Sequence, residues 1–219
     1  MKRMTLSQLS RSAACLIALS AGVAQAGIVS NGGFENQTGS NVGGYCYTNT
    51  AGCSVSGWSS TGSNGTVVIG ANSGAWGTPS SLANSLGGLG NIVIGLQGNS
   101  STISQTLNLD ANSLIELSWY DAGRSNWSGL QSYSVSFGGK DLGTFSTNAG
   151  QGWSQHQLRF TASGSGLLEF RSLNLGSYDR TSFINGVQAT ATQVPEPQSL
   201  ALTLVALMAV GLVRRRRSA

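Results

Sequence analysis

Charge is scarce in this chain. Asp, Glu, Lys and Arg together make up 9% of its 219 residues, too few for charged helical surfaces or for a polyelectrolyte tail. Histidine occurs once, as His156, which excludes a multi-histidine metal centre and obliges any Ser-His-Asp triad to run through that residue. It sits in Trp153-Ser154-Gln155-His156-Gln157-Leu158, where alternation is read as placing it on a polar, solvated strand surface opposite Gln157. Carboxylates are few, and no pair of them carries a recognisable glycosidase spacing. Gly87-Gly88-Leu89-Gly90 lacks the Lys-Ser/Thr that would follow in a phosphate loop, and it precedes a strand-like run. From Gly27 to Val194 no helical periodicity lasts longer than a turn or two. Nothing here calls for catalysis or a catalytic cofactor, and the expectation is that the protein is not an enzyme.

The formal charge of +4 looks basic, but it is unevenly placed. Lys2, Arg3 and Arg11 lie at the front, and Arg214 to Arg217 at the back. Between them, Arg124, Lys140, Arg159, Arg171 and Arg180 face Glu35, Asp110, Glu116, Asp121, Asp141, Glu169 and Asp179, a net of −2. With no basic patch interleaved with aromatics, nucleic acid is excluded as a partner.

Both ends read as targeting segments. The positive residues near Met1 precede a small, apolar run from Ala13 to Ala24 and an A-x-A site, Ala24-Gln25-Ala26. This is the pattern of a signal peptide over residues 1–26, forming a helix and cut by signal peptidase between Ala26 and Gly27. At the far end stand Val194-Pro195-Glu196-Pro197, an apolar run from Leu200 to Val213 and four arginines. Two prolines in three residues remove two backbone donors and force an extended break. The apolar run of about 15 residues is a short transmembrane helix, and the arginines hold its end on the cytoplasmic side. Tripeptide, apolar helix and basic cluster in that order resemble the PEP-CTERM sorting signal of biofilm-forming Gram-negative bacteria. The resemblance assigns residues 193–219 to a sorting and anchor segment and implies processing by an exosortase near Val194, Pro195, Glu196 and Pro197. The precursor would be transiently held in the inner membrane, and the product would reach the outer surface or the extracellular matrix.

The remaining residues 27–192 suffice for one domain with its own core. Short runs bounded by Gly, Asn, Asp or Ser recur: 66–69, 91–94, 103–109, 114–120, 133–137, 157–160, 167–171 and 182–187. Ile115, Leu117 and Trp119 fall on one face of their run, with Glu116, Ser118 and Tyr120 on the other. Tyr133, Val135 and Phe137 alternate with serines, and Gly138-Gly139 turns into a partner strand. About eight such strands predict an all-β domain, a single antiparallel β-sandwich of the jelly-roll kind. Cys46 and Cys53, close in sequence in an oxidising compartment, are predicted to form a disulfide that pins the loop between them.

Local motifs sharpen the expected fold. Asn31-Gly32-Gly33-Phe34-Glu35, Ser104-Gln105-Thr106-Leu107 and Ile184-Asn185-Gly186-Val187 resemble, in that order, the first, a middle and the last strand of galactose-binding-like jelly rolls, which include many carbohydrate-binding modules. In those modules the early Glu and a late Asp help hold a structural Ca²⁺, which takes six to eight oxygen ligands. Here Glu35 is present and Asn185 stands where the carboxylate would be. Glu35 is therefore read either as a calcium ligand with Asn185 or as a cap on backbone amides. Phe34, Trp58, Trp119 and Trp153 are read as core.

The resemblance implies polysaccharide as partner, and rings are the tools for it, because pyranoses stack their C–H faces on Trp and Tyr. Trp76, Tyr120, Trp127 and Tyr178 lie in or beside polar loops. The stretch containing Tyr120, Asp121, Arg124 and Trp127 joins two rings to a carboxylate and a guanidinium, and is the candidate sugar site. Its alternatives are a Trp127 packed under the loop and a local Asp121–Arg124 ion pair. Three functions stay open: an exported, non-catalytic surface or matrix protein associating with exopolysaccharide, a purely structural matrix component, and a hydrolase.

Overall fold

The computed structural model describes residues 27–39, 44–62, 66–70, 73–79, 90–127, 129–173, 179–193 and the helical pair 206–207. Residues 1–26, where a signal peptide is expected, Tyr178 and the tripeptide lie outside the described residues. Thirteen strands are described: β1 (Gln37–Thr38), β2 (Tyr45–Tyr47), β3 (Ser54–Val55), β4 (Ser59–Thr61), β5 (Val67–Gly70), β6 (Ile92–Gln97), β7 (Asn99–Leu107), β8 (Ser113–Gly123), β9 (Gln131–Phe137), β10 (Lys140–Thr147), β11 (Ser154–Ala162), β12 (Gly166–Leu173) and β13 (Thr181–Gln193). All pairings between them are antiparallel. One sheet has five strands in the order β10-β9-β12-β7-β4, a second has six in the order β11-β8-β13-β6-β5-β2, and β1 and β3 pair in a small two-stranded sheet.

The alternation that marks β8 and β9 in the sequence turns one row of each strand inward. Ile115, Leu117 and Trp119 from the six-stranded sheet meet Tyr133, Val135, Phe137, Ile103, Leu168 and Phe170 from the five-stranded sheet in one buried core. The two sheets thus form a sandwich. The β9–β10 hairpin turns on Gly138 and Gly139, with φ of 56° and 80°; two successive positive values are what a type I′ turn requires and what glycine accepts without penalty.

The outer face of the six-stranded sheet is not wholly wet. Val67, Ile69, Val93, Ala122 and Phe183 form a second buried cluster there, covered by Trp76 and flanked by Tyr47 and Trp153. Every residue of β5 and β6 is therefore buried. Continuous apolar runs belong to strands covered on both faces.

The three motifs shared with jelly rolls act as fasteners. The segment 28–33 is not a strand but lies along β13, with Ile28 N donating to Ala189 O and Val187 N donating to Gly32 O, each at 3.0 Å. A side chain on Gly32 would put its Cβ 1.8 Å from Val187 O, so only glycine allows the approach. The register of β13 slips between Asn185 and Gln188, a bulge in which Gly186 adopts φ 60° and donates its N–H to Asn185 Oδ1 at 2.6 Å. Gln105 takes the N–H of Ser30 on Oε1 (2.8 Å) and donates Nε2 to Ser30 O (3.0 Å) and Gly57 O (2.7 Å). The Trp58 indole N–H reaches Ser30 O and Asn31 O, and its ring packs on Phe34. These motif residues make fold contacts, which is why they carry little information on function.

Candidate functional site

Asp121 and Tyr120 are adjacent on β8 and so point to opposite faces. Asp121 is 0% exposed and turns into the core, where its Oδ2 accepts the Tyr133 hydroxyl at 2.8 Å. Tyr133 in turn accepts the Trp119 indole N–H at 2.8 Å. Burial, and then the neighbouring Asp121 carboxylate, push the Tyr133 phenol well above its usual range, so it stays neutral and can donate. A core carboxylate cannot reach a ligand at the surface; Asp121 leaves the four-residue sugar site.

His156 belongs to the same buried group. It shares a face with Leu158 and Phe160, opposite Gln157, but that face is the inward one. Its ring stacks on Trp119 at 5.2 Å with 20° between planes and meets the edge of Phe145. Nε2 lies 2.9 Å from Asp121 Oδ2, outside hydrogen-bond geometry. The expected solvated histidine is instead a partly covered core residue, because the apolar neighbours at i+2 and i+4 set the phase of the strand. Nε2 has no hydrogen-bond partner among the described residues.

Arg124 follows the end of β8 and is committed locally. Its guanidinium lies 4.4 Å above the Trp76 ring. Nε donates to Asn126 Oδ1 at 2.7 Å, and Nη1 donates to Asp179 O at 2.9 Å and lies 3.8 Å from the Asp179 carboxylate. Its ion partner is thus Asp179, not Asp121. Burial lowers the Arg124 pKa, opposed by Asp179. Trp76, expected at the surface, is 3% exposed because it roofs the second cluster.

The loop carrying Trp127 is laced to the 73–79 loop: Ser125 Oγ donates to Gly77 O at 2.8 Å and Asn126 Nδ2 to Ala75 O at 3.0 Å. Trp127 itself is 40% exposed, a large ring on a tied-down loop. Tyr120 is half-buried on the outer face of β8, in register with Gln155 and Asn185.

Sequence reasoning missed a neighbouring group. Tyr45 and Tyr47 alternate on edge strand β2, so both rings stand on the outer face. Tyr45 contacts Tyr47 at 6.0 Å and Trp76 at 5.4 Å, both edge-to-face, and Tyr47 contacts Trp76 at 6.1 Å. Gln97 Nε2 donates to Asp179 Oδ1 at 3.3 Å. Burial, then Tyr45, raise the Tyr47 phenol pKa. The available signal was the Tyr-x-Tyr spacing within the Cys46 loop, whose Cys46–Cys53 disulfide has an S–S distance of 2.03 Å.

Glu35 and Asn185 both bracket Ile92. Glu35 Oε1 accepts the N–H groups of Asn91 and of Ile92 (2.8 Å), and Asn185 Nδ2 donates to Ile92 O at 2.9 Å. Glu35 Oε1 and Asn185 Oδ1 thus both face N–H donors, and no cluster of three His, Cys, Asp or Glu with metal-site spacing occurs among the described residues. The arrangement suits an amide cap and does not fit a hard dication.

No family model and no curated protein matches the sequence. Among solved structures, the fold is similar to the Stig cyclase Fisc from Fischerella sp. TAU in complex with (3Z)-3-(1-methyl-2-pyrrolidinylidene)-3H-indole, at 15% identity and a TM-score of 0.54, covering 78% of this chain and 100% of that one. It is also similar to TmCBM61 in complex with beta-1,4-galactotriose, at 16% identity and a TM-score of 0.46, covering 75% of this chain and 97% of that one. A carbohydrate-binding module, CBM36, in complex with calcium and xylotriose matches at 19% identity and a TM-score of 0.36, over 45% of this chain and 79% of that one. At such identities the likeness is one of fold alone.

Proposed function

We propose that this is an exported, non-catalytic surface or matrix protein whose sandwich associates with exopolysaccharide. Signal peptidase cuts before Gly27, the segment 193–219 holds the precursor in the inner membrane, and an exosortase processes it near the Pro-Glu-Pro tripeptide. The association rests on one observation: Trp127 keeps a large ring in solvent on a loop tied to its neighbour by Ser125 and Asn126. A loop already tied down needs less ordering when a sugar stacks on its ring.

A purely structural role is the second reading, favoured by the outer face of the five-stranded sheet. There Ser132, Ser134 and Ser136 of β9 alternate outward beside Thr144 and Ser146 of β10, a hydroxyl surface without a ring. A glycan array on the purified full chain, with Trp127→Ala beside it, separates the two. Stacking on one ring is worth about 1 kcal/mol, so the variant is expected to lose roughly fivefold in retention with an unchanged melting temperature. Absence of any glycan retained by the parent protein leaves the structural role as the better one.

A further inference from the structure

We propose that Tyr45 is a second ring-stacking subsite, separate from Trp127, and that it accepts uncharged pyranose residues and rejects uronates; this rests on the polysaccharide reading above. Tyr45 is 47% exposed although two other rings, Tyr47 and Trp76, hold it edge-to-face. A ring gains little stability by staying half in water while being fixed in place, and a fixed, exposed ring is what a sugar face requires. The groups next to Tyr47 and Trp76 are hydrogen-bonding, and the cation among these described residues, Arg124, is committed. Tyr47 remains a neutral phenol because burial raises its pKa. Gln97 donates to Asp179, and the Asp179 side chain is itself 49% exposed. The guanidinium of Arg124 is already engaged by Trp76, Asn126 and Asp179. Asp179 thus sets a partly exposed carboxylate beyond Tyr47, whose phenol feels its charge. An incoming uronate meets that same carboxylate, and like charges in proximity repel. The net charge of −2 over the domain acts in the same direction.

The test is affinity electrophoresis of the full chain through gels containing β-1,4-galactan, xylan or β-1,3-glucan, and through gels containing polygalacturonate or alginate. The parent protein is expected to be retarded by at least one neutral polymer and by neither uronate polymer. Tyr45→Ala should weaken that retention roughly three- to tenfold, the range of one aromatic contact, while Tyr45→Phe keeps the ring and stays within twofold. Asp179→Asn should bring measurable retention by polygalacturonate. Unchanged retention in a folded Tyr45→Ala protein, or retention of the parent by uronates, overturns the subsite but leaves the association with polysaccharide standing. If no polymer retards the parent protein, the association and the subsite fall together. Should Tyr45→Ala not fold, a loss in Tyr45→Phe greater than in the Trp127→Ala control counts against ring stacking as the cause.

Discussion

Two places in this molecule bring aromatic rings around a buried charge, and they differ in whether the group is closed. Between the sheets, Trp119, Tyr133, Phe145, Phe170 and His156 pack on one another, and Tyr133 and His156 reach Asp121, which has no exposure at all. On the outer face, Arg124 lies over Trp76, Tyr45 and Tyr47 pack edge-on against that indole, and the group ends in a ring left nearly half in solvent. The first group lies where two sheets press together and water is displaced from both sides. The second lies on one sheet under a loop, and a loop covers only as far as it reaches. The same residue types therefore serve stability in one place and are available for contact in the other.

That contrast can be broken from either side. Truncating the closed group should cost most: Trp119→Ala is expected to destabilise by about 3–5 kcal/mol, as for a fully buried large aromatic, measured by urea denaturation. A loss under about 1 kcal/mol would mean that the inner group is not the keystone described. Replacing Cys46 and Cys53 by serine should cost roughly 2–3 kcal/mol on the chain-entropy account, read by the same melts with and without reductant. Asp121→Ala strands the Tyr133 hydroxyl in the core and should cost about 1–3 kcal/mol, with little effect on glycan retention; a selective loss of retention would return Asp121 to the binding site.

The phenol of Tyr133 gives a pH test. Its folded pKa is raised above the ordinary value of 10.0 by burial, so the folded state holds the proton more tightly than the unfolded chain does. That stability is complete below about pH 10 and is lost as the pH rises further. Tyr133→Phe should flatten this alkaline decline relative to the parent protein. The smallest effect concerns calcium: exchanging EDTA for millimolar CaCl₂ should leave the melting temperature where it is. An upward shift of several degrees would show ligand-linked stabilisation and would reinstate Glu35 and Asn185 as a cation site.

Much of the architecture was legible because alternation is a direct imprint of one-sided burial. Residues 114–120 and 133–137 lie in β8 and β9 with the expected faces, and Trp119 is core. The errors cluster where a second layer intrudes. Trp76 has polar sequence neighbours, which point it to the surface, but it packs with Val67, Ile69 and Val93. The continuous apolar runs 67–69 and 92–94 were the sign that both faces of those strands are buried. His156 was judged by the glutamines beside it, whereas Leu158 and Phe160 at the same phase place it inward. Asp121 shows a further limit: counting charges cannot tell a surface carboxylate from one that accepts a core tyrosine. The candidate site was legible only as a stretch of chain, since Trp76 and Asp179, which engage Arg124, come from two other segments.

The position of β13 carries a mechanical consequence. It is flanked by β8 on one side and β6 on the other, and the segment starting at Ile28 hydrogen-bonds to it as well. Whatever continues beyond Gln193 is therefore fastened to an interior strand and not to an edge. A pull applied along that continuation would load the hydrogen bonds to β8 side by side, in shear, and would not peel them one at a time. Such an attachment resists extraction best when the force runs along the strand.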